Sequence, residues 1–116
     1  MTTRESAAAT FVQVLGSEFL RALTEPARLE LMKVLLLEGP QDIASLAAHV
    51  PQDRSVVSRH LKLLEQAGIV QVQRQGRHRI YALDGLAFVR TLEEILTKAK
   101  TLTSLCCPPL PAVKDG

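Results

Sequence analysis

At 116 residues the chain can build one core, and a second of useful size is excluded. Aromatic residues are only 3% of a sequence that is 47% hydrophobic, so the core must be aliphatic, which favours packed helices and leaves apolar surface for a partner chain. With a formal net charge of only +2, no apolar run of spanning length and no signal-peptide pattern at the N-terminus, the expectation is a soluble, cytoplasmic protein that meets no membrane.

In chain order, residues 5 to 22 predict a first helix with Phe11, Leu15 and Phe19 on one stripe, interrupted by Gly16. Thr24 can cap a second helix that holds Pro26 in its first turn, runs from Ala27 to Leu37 and is stopped by Glu38-Gly39-Pro40. Asp42 caps a short third helix from Ile43 to His49, ended by Val50 and Pro51. A fourth helix is bounded by Asp53, an N-cap residue, and Gly68, which suits a helix C-terminus. Val70 and Val72, then Tyr81 and Leu83, alternate as strand residues do, with a short turn at Gln75-Gly76 between them. After Asp84-Gly85 a long helix runs from Leu86 to about Leu105, with Leu92, Ile95, Leu96, Ala99 and Leu102 on one face. Pro108, Pro109 and Pro111 forbid further helix, so the tail is extended. The fold class is mainly α with a small β-hairpin, in the order α-α-α-α-β-β-α. Residues 1–105 form the folded domain and 106–116 a cysteine- and proline-containing tail.

The fourth helix is the most informative element. Val57, Leu61 and Leu64 share one face, whereas Ser55, Ser58, Arg59 and Lys62 share the other. Arg can fork onto guanine, Ser can serve bases or phosphates, and Lys62 suits a phosphate. A solvated helix face would look similar, but the hairpin adds Arg74, Arg77, His78 and Arg79 at its tip, more cations than solubility requires. From Asp53 to Tyr81 six basic residues, Arg54, Arg59, Lys62, Arg74, Arg77 and Arg79, stand against the acids Asp53 and Glu65, so positive charge is gathered on an otherwise mildly acidic body. The expected DNA-contacting set is Arg54, Ser55, Ser58, Arg59, His60, Lys62, Arg74, Arg77 and Arg79, with His60 serving a phosphate or packing beside the apolar face. A hairpin used only for protein docking is the competing interpretation. No Gly-rich phosphate loop or nucleophile elbow is present, and no acid pair is set beside a His or Cys in a pocket-forming region, so an enzyme is not expected.

Leu23-Thr-Glu-Pro-Ala-Arg-Leu29, Val56-Val-Ser-Arg-His-Leu-Lys-Leu-Leu64, Gln66-Ala-Gly-Ile-Val70 and Gln75-Gly-Arg-His-Arg-Ile-Tyr81 together resemble the ArsR/SmtB family of winged-helix repressors, over about Phe19 to Leu105. The resemblance implies a winged helix-turn-helix, a homodimer built from the first and last helices, and a double-stranded operator read as an imperfect palindrome and released when an effector binds. It also implies effector sites that this chain does not fully keep. Where arsenic and cadmium sensors of the family carry Cys-x-Cys, the chain has Gln41-Asp-Ile43; of the zinc-sensor positions only Asp84 matches, with Leu86, Thr97 and Lys100 at the others. What remains is the pair Cys106 and Cys107, a neighbouring arrangement that some arsenite sensors of the family use. Adjacent residues with Cα atoms ~3.8 Å apart can offer two thiolates to arsenite or antimonite, As(III) or Sb(III), the third ligand lying elsewhere. No obligatory cofactor is expected. Thiol redox or persulfide sensing, a non-metal inducer, and cysteines that merely pack remain alternatives.

Overall fold

A computed structural model describes residues 3–107 as six helices and one hairpin: α1 (Thr3–Leu15), α2 (Glu18–Ala22), α3 (Pro26–Glu38), α4 (Ile43–Ala47), α5 (Arg54–Gln66), β1 (Val70–Gln75), β2 (His78–Leu83) and α6 (Gly85–Cys106). The expected extended tail falls on residues 108–116, outside the described residues. The winged helix-turn-helix is as expected: α3, α4 and α5 surround Leu31, Leu46, Val57, Leu61 and Leu64, and the hairpin closes the core with Ile69, Val70 and Tyr81. All six of the largest fully buried side chains are aliphatic, as the scarcity of aromatic residues requires.

The expected first helix is in fact two. Gly16 is a poor helix former, and Ser17 takes up the N-cap of α2, its Oγ accepting from the Leu20 N–H at 3.3 Å. The break rotates the chain, so Phe11, Leu15 and Phe19 do not share a stripe. Phe19 enters the core and meets Phe88 of α6 with ring centroids 5.2 Å apart, whereas Leu15 is 54% exposed. Thr24 does not cap α3. Its hydroxyl donates instead to Arg21 O at the end of α2, and Glu25 occupies the cap position. The next helix stops at Ala47 rather than His49, because its last turn tightens into i to i+3 bonds, His49 N to Leu46 O and Val50 N to Ala47 O, ahead of Pro51.

α1 packs along α6, and Arg4 of α1 donates from Nε and Nη2 to Leu105 O, closing the far end of the pair. The expected single apolar face of α6 divides in two. Ile95, Ala99 and Leu102 are half-buried, whereas Leu92 and Leu96 stand exposed beside Val89. Val12 and Leu15 add exposed apolar surface on α1, so both helices keep aliphatic side chains that this chain alone does not cover. No helix among the described residues is long and apolar enough to cross a membrane.

Candidate nucleic-acid interface

The 13 residues of α5 make a rod about 20 Å long, sealed at both ends by local chemistry. At its start Asp53 Oδ1 accepts from Val56 N at 3.0 Å and from the Ser55 hydroxyl at 2.7 Å. These bonds, the backbone one first, hold the Asp53 carboxyl below the usual carboxylate range. At its end Gly68 takes φ +76°, its N–H reaches Glu65 O, and Ile69 N reaches Leu64 O, the paired bonds of a Schellman stop. Because Ile69 and Leu64 are both fully buried, this stop also fixes where the chain leaves for β1. Val57, Leu61 and Leu64 are buried without remainder, which turns Ser55, Ser58, Arg59 and Lys62 to solvent together with Arg54 in the first turn. Ser55 is thereby committed to the cap as a donor and keeps only its acceptor capacity for another partner.

The hairpin register pairs Val70 with Leu83, Val72 with Tyr81, Arg74 with Arg79 and Gln75 with His78. The turn is therefore Gly76-Arg77 and not Gln75-Gly76. Gly76 alone has positive φ, +63°, the sign pattern of a type II′ turn. Side-chain alternation puts Arg74 and Arg79 on the face that carries Val70, Val72, Tyr81 and Leu83, but beyond the edge of the core. Like charges directly opposite each other weaken a strand pair, so this arrangement disfavours the free hairpin and favours an anion between the two guanidinium groups. Among the described residues none of the six cations of this region is in an ion pair with a carboxylate.

Besides the core packing of Val70 and Tyr81, two polar contacts among the described residues tie the wing to the body. Gln41 and Tyr81 exchange backbone bonds of 2.9 and 2.8 Å, and His78 Nδ1 lies 3.7 Å from Asp42 Oδ2. Asp42 is at the same time the N-cap of α4, accepting from Ser45 N at 2.8 Å. That bond, ahead of its other Ser45 interaction and the nearby His78 and Arg54, keeps its carboxyl below the ordinary range. His60 lies apart from the exposed set. It is half-buried on the flank of α5, with Nδ1 3.4 Å from Nη1 of Arg28, while Arg28 also donates to Ala22 O at 2.9 Å and Arg21 O at 3.2 Å. The cap role of Asp42 is the one the sequence predicts, whereas its contact with His78, the Gln41–Tyr81 bridge and the Arg28–His60 contact carry no signal in the local pattern.

Metal ligands are sparse. Asp84 Oδ1 caps α6 by accepting from Ala87 N at 3.1 Å, and no group of three or more His, Cys, Asp or Glu side chains among the described residues could hold a metal ion. Cys107 is exposed at the C-cap of α6 and is disulfide-bonded, and the side chain of Cys106 lies outside those described.

Residues 25–72 match the family model for bacterial regulatory proteins of the arsR family. The chain is 31% identical over 83 residues to the HTH-type transcriptional regulator NmtR of Mycobacterium tuberculosis, covering 72% of this chain and 68% of that protein. It is 40% identical over 76 residues to the HTH-type transcriptional regulator CmtR of Mycobacterium bovis, covering 66% of this chain and 64% of that one. The M. tuberculosis regulator Rv2034 is 42% identical over 69 residues, 57% of this chain, and the match again spans 64% of the relative's length. Among solved structures, a possible transcriptional regulator for arsenical resistance superposes with TM-score 0.59 at 33% identity, over 81% of this chain and 98% of that one.

Proposed function

The chain belongs to the ArsR/SmtB family of bacterial regulatory proteins, and from that premise we propose that it is a homodimeric transcriptional repressor that reads a double-stranded operator of imperfect palindromic form. The observation that carries this reading is the shared exposure of Ser55, Ser58, Arg59 and Lys62 on a capped helix, next to a wing whose Arg74 and Arg79 oppose each other without a carboxylate partner among the described residues. α5 enters the major groove with Arg59 and Ser58 at base edges, and Arg54, Lys62, Arg74, Arg77 and Arg79 hold the phosphates on either side. The uncovered aliphatic side chains of α1 and α6 support a two-fold seam made by these helices, which would set the spacing of the two reading helices.

The proposed effector is a thiophilic metalloid, arsenite or antimonite, taken by Cys106 and Cys107. As thiolates the two supply adjacent soft donors, and a third donor has to come from outside the pair. Arg4 supports a coupling route, because it ties α1 to Leu105 O, one residue before the cysteines. A ligand there acts on operator affinity only through its differential affinity for two arrangements of the seam. The test is a mobility-shift titration of the reduced protein on its operator with arsenite, antimonite, cadmium, zinc and a persulfide donor, repeated on a Cys106→Ser, Cys107→Ser variant. Release by arsenite that the variant loses is expected. Release by the persulfide donor alone would replace the metalloid with a redox signal, and an unchanged variant would remove the cysteines from sensing.

A further inference from the structure

We propose that Arg28 is a positioning residue for DNA reading: with His60 as its acceptor it forms the joint that fixes the roll of α5, and operator affinity falls when His60 takes up a proton. The proposal rests on α5 being the reading helix. The leucine and valine contacts beneath α5 decide which face is buried but are non-directional, whereas a hydrogen bond has a preferred direction and fixes the remaining roll. The Arg28 guanidinium joins three elements at once. It stands in the first turn of α3, takes the C-terminal carbonyls of α2 with Nε and Nη2, and reaches His60 of α5 with Nη1.

A guanidinium is always protonated and has no acceptor, so in this contact the Nδ1 of His60 must accept and the ring proton must sit on Nε2. Protonation puts an N–H on Nδ1 as well. The hydrogen bond is then replaced by two donors and two positive charges facing each other at 3.4 Å. The charged groups acting on the ring are Arg28 of α3, Glu25 at the cap of the same helix and Arg59 of α5, and of these only Glu25 favours the charged form. Burial first, then Arg28, hold the imidazole below its ordinary range. The joint is therefore closed at neutral pH and opens as the pH falls. The direction is diagnostic, since a histidine resting on a phosphate would bind DNA more tightly on protonation, and this one would bind it less.

The experiment compares the unmodified protein with His60→Gln and Arg28→Met, at constant salt and between about pH 8 and 5.5. It measures operator affinity by fluorescence anisotropy and the His60 tautomer by nitrogen-15 NMR without DNA. Gln can accept from Arg28 through its carbonyl oxygen and does not titrate, so the affinity of His60→Gln should not change as the pH falls, whereas the unmodified protein should lose roughly tenfold. Arg28→Met should lose roughly tenfold at neutral pH and release the tautomer preference. Matching pH profiles for the unmodified protein and His60→Gln would overturn the proposal, as would a neutral His60 carrying its proton on Nδ1. If the unmodified protein bound no duplex DNA at any pH, the reading of α5 would fail, and the tautomer would still decide the joint.

Discussion

Removing the opposed arginines of the wing should act in opposite directions on folding and on DNA binding. Arg74→Ala with Arg79→Ala deletes a directly cross-strand like-charge pair that has no carboxylate partner among the described residues. Relief of that repulsion should leave the hairpin unchanged or stabilise it by about 0.2–1 kcal/mol. On DNA the same change removes four phosphate-neutralising charges from a dimer. Each phosphate contact contributes ~0.9 to the slope of log affinity against log salt, so the slope should become shallower by about 3.6. Between about 50 and 200 mM salt the unmodified protein should therefore lose about 150-fold more affinity than the variant. Anisotropy titrations at several salt concentrations give the slope, and thermal unfolding without DNA gives the control. Parallel salt lines for the two proteins would refute a phosphate role for the wing. A large drop in melting temperature would refute the register argument.

Three further predictions concern other parts of the molecule. Arg59→Ala should cost about 1–3 kcal/mol of operator affinity and blur discrimination between operator and unrelated duplex, whereas Arg77→Ala should weaken both about equally; competition binding distinguishes the two patterns. Leu96 is 54% exposed in the single chain, so Leu96→Asp should leave the monomer folded and put a charge into the proposed seam; sedimentation should then show a folded monomer, and an intact dimer would move the seam elsewhere. Asp53 and Asp42 have lowered carboxyl pKa values, so their contribution to stability is present above the ordinary carboxylate range and is lost as pH falls through the lowered folded values. Asp53→Asn keeps a cap acceptor but cannot titrate, and melting temperature against pH should show a smaller acid loss for this variant.

What could be read from the sequence divides along the range of the interactions involved. The caps at Asp42 and Asp53, the stop at Gly68 and the buried stripe of α5 all depend on residues within seven positions of one another, and each stands where the local pattern put it. The break at Gly16-Ser17 is equally local, but an apolar spacing that ran on to Phe19 masked it until Ser17 was seen capping α2. The division of the α6 face follows from what packs on it, which its own periodicity does not encode. Arg28 to His60 and Asp42 to His78 each link residues more than thirty positions apart, and no spacing rule pairs them. The two classes should fail differently. Loss of a cap exposes backbone donors and lowers stability wherever the protein is assayed. Loss of a long-range polar contact leaves each helix and strand formed and changes the angle between them. Asp42 belongs to both classes, because one carboxylate caps α4 through Oδ1 and meets the wing through Oδ2. Asp42→Asn retains the cap acceptor and gives up the charge offered to His78, so it separates the two roles. A melting temperature near that of the unmodified protein, combined with weaker operator binding, would show that wing orientation is held from the helix preceding the reading helix, and unchanged binding would show that the Gln41–Tyr81 bridge suffices alone.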